Sequence, residues 1–395
     1  MVERPELRAR VEHLLRQSPV VSLLGPRQCG KTTLARAVAR GRRAELFDLE
    51  DPVSRRRLES PMTALETLRG LVVIDEAQLA PELMPVIRVL VDRRPAPARF
   101  LLTGSASPDL VRGASESLAG RVAFVPMAGF DLSEVGAASL RRLWLRGGLP
   151  RSYLARSEAD SFRWREDFVT TFLERDLRRF GVLLSPQALR RLWSMVAHYH
   201  GQQWNASEVG RSLGEAHTTV KRHLDVLTGA LVVRQLQPWF ENLGKRQVKS
   251  PKVYIRDSGL LHALLGLGTF SALEGSPRLG ASWEGFVVEE VIRAAGERNV
   301  YFWATQAGAE LDLLVLAGGR RWGIEVKYSD APAVTKSMRV ALADLDLAHL
   351  WVVHPGSARY PLDEKIDAVG IRELGATLRA VGIGDHLPGE RRRQR

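Results

Sequence analysis

The sequence predicts an α/β protein of several units that opens with a parallel sheet. Three observations carry that expectation. Short, nearly continuous apolar runs (PVVSLLG, AELFDLE, LVVIDEAQ, FLLTGSAS and RVAFVPM) recur between helical stretches as far as about residue 130–140. Such runs are the pattern of strands buried on both faces by intervening helices. A glycine-rich turn joins the first run to a helix in GPRQCGKTTLARAVAR. A second series, VYFW, ELDLLVL, WGIEVKY and HLWVVH, follows a helical ASWEGFVVEEVIRAAG from about residue 277. At 395 residues the chain exceeds one typical core, so two or three domains are expected.

Each element follows in order. An amphipathic helix is expected over about 5–17, then the strand PVVSLLG, the glycine-rich turn and its helix, and the remaining strands of the first sheet. A helical stretch rich in Arg and Trp follows from about 139 to 200. Composition narrows the function classes. No apolar run approaches the roughly 18–20 residues of a membrane span. MVERPELRAR lacks the apolar core of a secretory signal, so a cytoplasmic location is expected. A single cysteine excludes an internal disulfide framework and a cysteine-built metal site. The net charge of +12 rests on 49 arginines against 8 lysines, a bias that a GC-rich genome would produce by itself. Its distribution says more: residues 151–250 hold 16 basic and 10 acidic side chains, half of the net charge in a quarter of the chain. Five of the scarce lysines, Lys31, Lys245, Lys249, Lys252 and Lys327, lie in or near motifs.

The segment Gly25-Pro26-Arg27-Gln28-Cys29-Gly30-Lys31-Thr32 fits GxxxxGK[ST] at every fixed position, with a strand before and a helix after. Gly25 and Gly30 permit the tight turn that aims backbone N–H groups at phosphates. Lys31 is expected to reach the β- and γ-phosphates of ATP, and Thr32 to ligate Mg²⁺. Pro26, Arg27, Gln28, Cys29 and Thr33 complete the expected nucleotide-binding set; Cys29 reads as a tolerated small residue before it reads as a redox switch. Leu71-Val72-Val73-Ile74 form a buried strand that delivers Asp75 to the Mg²⁺ at its carboxyl end. Glu76 would orient or deprotonate the attacking water. Ser105 or Thr103, ending the next core strand, would sense the γ-phosphate or simply form a turn. Arg121 would be an arginine finger, within the chain or toward a neighbouring subunit, or an ordinary surface arginine.

GPRQCGKTT, FDLEDP, LVVIDEAQ, LLTGSAS and LAGR, in that order, resemble a large prokaryotic group of AAA-type P-loop ATPases with a C-terminal domain of unassigned function. The likeness continues through GGLP, SPKVYIRDSGLL, WEGFVVEEV, AELDLLV and IEVKYS, so it covers essentially the whole chain. It implies the architecture more firmly than any biological role.

Residues 202–227 read as a helix-turn-helix. Ser207 would cap a short helix, Gly214 makes the turn, and HTTVKRHLDVL forms a second helix. Val220, Leu224 and Leu227 would face inward, leaving His217, Thr218, Lys221, Arg222 and Thr219 for phosphate and base-edge contacts. LVVRQLQPW and KVYIRD flank Asn242-Leu243-Gly244-Lys245-Arg246, which resembles a wing with a basic tip, and Lys249 and Lys252 extend that charge. The same winged helix could instead serve as a protein-docking module.

In the last region Asp312 lies on one apolar strand and Glu325-Val326-Lys327 on the next. A period of two puts Glu325 and Lys327 on one face. Two carboxylates could hold a divalent metal while the lysine orients water, chemistry suited to phosphodiester hydrolysis. The preceding helix offers Glu284, with Glu289 or Glu290 as further candidates. The set resembles the PD-(D/E)XK nuclease superfamily, except that Glu310-Leu311 stands where a proline would precede Asp312. A nuclease-like fold kept for binding alone, or a salt-bridged strand pair, fits the same residues.

The expected organisation is therefore an AAA-type ATPase domain (1–138), a helical linker or lid (139–200), a winged-helix domain (201–275) and a small α/β restriction-endonuclease-like domain (276–395). The expected function is ATP- and Mg²⁺-dependent binding and remodelling of duplex or branched DNA by a homo-oligomer, a ring being one form, with no membrane partner. Two alternatives stand beside it: an ATP-gated, metal-dependent nuclease, and a non-catalytic ATP-dependent switch that docks a protein partner.

Overall fold

The computed structural model describes residues 2–93, 98–105, 116–172, 185–240 and 248–384. The chain divides into two compact units: one comprises residues 1–130 with 149–151 and 229–232, the other the remainder.

The first unit holds a five-stranded sheet in the order β2-β3-β4-β1-β5. Its strands are β1 (Val20–Gly25), β2 (Ala44–Asp48), β3 (Gly70–Asp75), β4 (Ala98–Ser105) and β5 (Val122–Pro126). Every pairing is parallel. Helix α1 (Pro5–Gln17) precedes β1, and α2 (Lys31–Ala39), α3 (Pro52–Arg57), α4 (Pro61–Glu66) and α5 (Leu83–Asp92) lie between strands. Burial on both faces explains the unbroken apolar strands: Val72, Val73, Ile74, Phe100, Leu101 and Leu102 are at most 2% exposed. At about 25 cal/mol per Å² of apolar surface removed from water, side chains of this size contribute roughly 1.5–3 kcal/mol each. Because β4 runs between β1 and β3, the carboxyl ends of three neighbouring strands gather at one edge of the sheet.

From residue 131 the chain continues through short helices, α6 (Leu132–Val135), α7 (Leu140–Arg146) and α8 (Pro150–Tyr153), then α9 (Glu158–Thr171) and α10 (Pro186–His198). Next come β6 (Gln202–Gln203), α11 (Ala206–Leu213), α12 (His217–Gly229), β7 (Val233–Leu236) and β8 (Lys252–Ile255). The three strands form an antiparallel sheet in the order β6-β8-β7. The cap of α11 differs from expectation. Asn205, not Ser207, accepts the Glu208 N–H at 3.2 Å, because the helix begins one residue after Asn205 and Ser207 already lies inside it. Gly214 ends α11 in the left-handed conformation (φ 70°), as a turn between two helices requires.

Helices α13 (Ser258–Leu264), α14 (Phe270–Glu274) and α15 (Leu279–Ala295) lead into a six-stranded mixed sheet, β13-β14-β12-β11-β10-β9. Its strands are β9 (Val300–Ala304), β10 (Glu310–Ala317), β11 (Arg320–Val326), β12 (His349–His354), β13 (Arg359–Asp363) and β14 (Ile366–Gly370), with α16 (Lys336–Asp344) and α17 (Ile371–Ala380). The β10–β11 hairpin turns on Gly318 and Gly319, both at positive φ, the geometry a two-residue hairpin loop demands. Leu350 and Val352 pack with Met338 and Ala341 of α16. Trp351 and Val353 between them are also buried, so both faces of β12 are covered. The segment after β7 runs along β9: Trp239 N–H donates to Phe302 O at 2.7 Å, and Phe302 N–H donates to Gln237 O at 3.1 Å. Val248 N–H donates to Ala304 O at 3.2 Å. The sheet of β6–β8 and the six-stranded sheet therefore belong to one body.

Candidate functional site

β1 stops at Gly25 and α2 starts at Lys31, so residues 26–30 form the loop between a central strand and a helix N-terminus. Gln28 (φ 61°) and Gly30 (φ 99°) take left-handed backbone, which lets the chain double back over one short span. At Gly25 an added Cβ would meet Met127 O at 2.7 Å and Cys29 Sγ at 2.8 Å, so only glycine fits there. Lys31 is buried, and its Nζ donates to Gly25 O at 3.0 Å and Pro26 O at 2.9 Å. Thr32 and exposed Thr33 lie in the first turn of α2, where the helix dipole and backbone N–H groups favour an anion. Arg27 pairs with Glu50 at 3.4 Å, and Cys29 is buried. Sequence reasoning missed Arg4. Its guanidinium donates to Cys29 O, Ala128 O and Gly129 O at 3.1–3.4 Å and braces the loop from behind. Only the long range of these contacts hid it.

Asp75 ends β3 with its side chain nearly buried. Its Oδ1 accepts the Thr103 hydroxyl and, at 3.2 Å, the Glu76 N–H. Thr103 thus bonds to the acidic residue of the neighbouring strand. Glu76 sits at φ 56°, ψ 42°, a left-handed conformation that costs a residue with a Cβ about 1–3 kcal/mol. The Gln78 amide donates to Glu76 Oε2, a second partner that the motif alone did not suggest. The backbone of Ser105 ends β4 opposite Gly25; its side chain lies outside the described residues. Arg121 is paired with Asp92 of α5.

Along α12, Val220, Leu224 and Leu227 are buried and Thr218, Lys221 and Arg222 exposed, while His217 is exposed and Thr219 half-buried. His223 joins the buried row, and burial pushes its pKa down. Lys245 and Arg246 lie outside the described residues.

In the last sheet, Asp312 and Glu325 stand one step beyond the paired Leu313 and Ile324, and Asp312 Oδ2 accepts the Val326 N–H at 2.9 Å. Lys327 Nζ lies 2.7 Å from Glu325 Oε1. Glu284 of α15 joins them, whereas Glu289 and Glu290 do not. Glu289 is bound by buried Arg234 and by Arg256, which hold its pKa down at about 2 against burial, and Glu290 accepts the Leu132 N–H at 3.2 Å. Lys252 of β8, expected to extend the basic charge of the wing, is instead buried among these carboxylates, because its position on β8 faces α15 and β10. Its Nζ lies 3.0 Å from Glu284 Oε1 and 3.5 Å from Asp312 Oδ1, and it also pairs with Glu310. Tyr254 donates to the same Glu284 oxygen at 2.6 Å. Burial lifts Glu284 to about 7 despite Lys252; burial and the charge of Asp312 lift Glu325 to about 8. Among the described residues, no group of three His, Cys, Asp or Glu side chains is placed to hold a metal ion. With an ammonium already among the carboxylates, the expected set of Glu284, Asp312, Glu325 and Lys327 does not fit a divalent metal.

Against known proteins, residues 17–136 match a AAA domain, residues 137–271 a domain of unknown function (DUF8612) and residues 279–374 another (DUF4143). An uncharacterized protein of Mycobacterium tuberculosis is 54% identical over 377 residues, which span 95% of this chain and 86% of that protein. One of Mycobacterium bovis matches to the same extent. The chain belongs to their family. Within this family the N-terminal region carries the fold of AAA-type P-loop ATPases, with the parallel sheet and nucleotide-binding loop described above. Among solved structures, a Walker-type ATPase of Pyrococcus abyssi is similar at 18% identity and a TM-score of 0.49, over 67% of this chain and 96% of that one. The DNA clamp loader delta protein of Bacillus subtilis is similar at 12% identity and a TM-score of 0.27, over 56% and 88%. Among the described residues no helix is long and apolar enough to cross a membrane.

Proposed function

We propose that the chain is an ATP-hydrolysing AAA-type protein that binds and remodels DNA as a homo-oligomer, with ATP and Mg²⁺ at residues 25–33 and duplex or branched DNA at α12. The observation that carries the DNA half is the division of α12 into a buried apolar row and an exposed Thr218, Lys221 and Arg222. The surrounding order of helix, strand, helix, helix, strand, strand supports a winged-helix reading. A helix of this kind meets phosphates with its cations and base edges with its hydroxyls and amides. Lys245 and Arg246 belong to the connection between β7 and β8, where such a module carries its wing.

In the nucleotide half, Lys31 would exchange the Gly25 and Pro26 carbonyls for the β- and γ-phosphates. Thr32 and Asp75 offer the hard oxygen donors that Mg²⁺ prefers. Asp75 keeps Oδ2 for it, since both of its hydrogen bonds fall on Oδ1. Bound with ATP, Mg²⁺ would neutralise charge on the transferred phosphoryl group. Glu76, oriented by Gln78, would accept a proton from the attacking water. Thr103 acts by holding Asp75, which leaves Ser105 to meet the γ-phosphate.

ATP turnover measured with single-stranded, duplex and branched DNA and with RNA, beside a Lys31→Ala control, tests this reading. Stimulation by duplex or branched DNA, with binding that weakens steeply with salt, is the expected result. Turnover indifferent to every nucleic acid would sink it.

A further inference from the structure

We propose that Lys252 is the resident cation of the carboxylate cluster formed by Glu284, Glu310, Asp312 and Glu325, and that its ammonium closes the cluster to divalent metal. The inference goes beyond the ATPase and DNA readings and depends on neither. An ammonium has three N–H donors, and three carboxylates surround this one. The Lys252 side chain is 4% exposed, so its charge cannot be met by water and must be met by these oxygens. The face of Phe302, 5.7 Å away, covers another side of it.

Every carboxylate of the cluster already has at least one oxygen engaged. Glu284 Oε1 carries both Lys252 and the Tyr254 hydroxyl. Asp312 Oδ1 faces Lys252, and Oδ2 accepts the Val326 N–H. A divalent ion requires several oxygens at about 2.0–2.6 Å and would have to sit beside a positive charge in a medium that screens it poorly. One buried oxygen, Glu325 Oε2, has no hydrogen-bond partner; the other oxygen of that carboxylate is held by Lys327. The ammonium set among these carboxylates keeps the remaining oxygens from gathering around a divalent ion. The cluster is thus a charged cross-link that fastens β8 to α15 and β10, built on a carboxylate frame that would take a metal if the lysine were absent.

The test uses the full chain carrying Asp75→Asn, which silences the acidic residue assigned to nucleotide-bound Mg²⁺, without nucleotide, and follows Mn²⁺ by electron paramagnetic resonance. With Lys252 intact, no Mn²⁺ that depends on Asp312 is expected at millimolar metal. Lys252→Met should acquire one such ion and lose it again with Asp312→Asn. An Asp312-dependent ion in the chain with Lys252 intact overturns the proposal, as does a folded Lys252→Met chain that takes up none. Thermal melting supplies an independent readout. Lys252→Met should lower Tm, and adding Asp312→Asn should restore part of the loss, because it removes a buried carboxylate charge left without its ammonium. Purely additive losses would speak against Lys252 as the counter-ion.

Discussion

Arg121 grips Asp92 with both arms of its guanidinium, Nε at 2.6 Å from Oδ1 and Nη2 at 2.9 Å from Oδ2, while Nη1 donates to Ala119 O at 2.9 Å. A guanidinium committed in this way fastens the approach to β5 onto α5. Replacing Arg121 by Ala is therefore expected to leave ATP turnover nearly unchanged. Loss of an arginine finger would instead cost about 10³-fold or more. Steady-state turnover, measured across protein concentration so that a subunit's contribution to its neighbour would show, separates the two.

Glu76→Gln should lower turnover by about 10²–10⁴-fold, the usual worth of a positioned general base, while nucleotide still binds. Lys31→Ala should weaken nucleotide binding itself. Fluorescent-nucleotide titration beside turnover distinguishes them; equal loss of binding in both variants would argue against the role given to Glu76.

For the exposed face of α12, combined replacement of Thr218, Lys221 and Arg222 by Ala should weaken DNA binding. The slope of log K against log salt should fall by about 0.9 for each phosphate that is no longer neutralised. Anisotropy titrations at several salt concentrations measure it, and an unchanged slope would place the DNA surface elsewhere.

Trp144 Nε1–H donates to Ser282 Oγ at 2.9 Å, and Ser282 Oγ lies 2.7 Å from His262 Nε2. The other ring nitrogen of His262 lies 2.9 Å from Leu145 O. Burial pushes His262 down to about 4, so the folded chain holds it neutral. A depressed histidine contributes stability that is present above its unfolded value near 6.5 and is lost as pH falls toward 4. Compared with His262→Asn, the native chain should lose about 1.4 kcal/mol per pH unit across that window. Urea midpoints of both chains between pH 7 and 4.5 give the difference, and parallel curves would remove His262 from the account.

The strand–loop–helix of residues 20–39 and the strand ending in Asp75 were legible because their geometry is set by contiguous residues. A glycine that no Cβ can replace and a run of buried aliphatics leave their mark within a few positions. The Asp312/Glu325/Lys327 grouping was legible by strand periodicity. Its further cation was not, because Lys252 reaches Asp312 from a strand far back in the chain. Arg4 and Gln78 escaped for a related reason: neither is part of a spacing rule, and each acts through a long or oblique reach. The edge pair β13–β14 went unread, since β13 carries a proline and half-exposed positions that give little apolar signal.

The cross-links between the β6–β8 sheet and the last sheet have a consequence for how such a chain can be cut and recombined. The boundary near residue 275 passes between Lys252 and Tyr254 on one side and Glu284 on the other, and between Trp239 and its partner strand β9. A protease nick there would leave the pieces associated. Expression of either piece alone would expose an orphaned buried charge and an unpaired strand edge. A recombination point near residue 275 would likewise part Lys252 from Glu284 and Trp239 from β9.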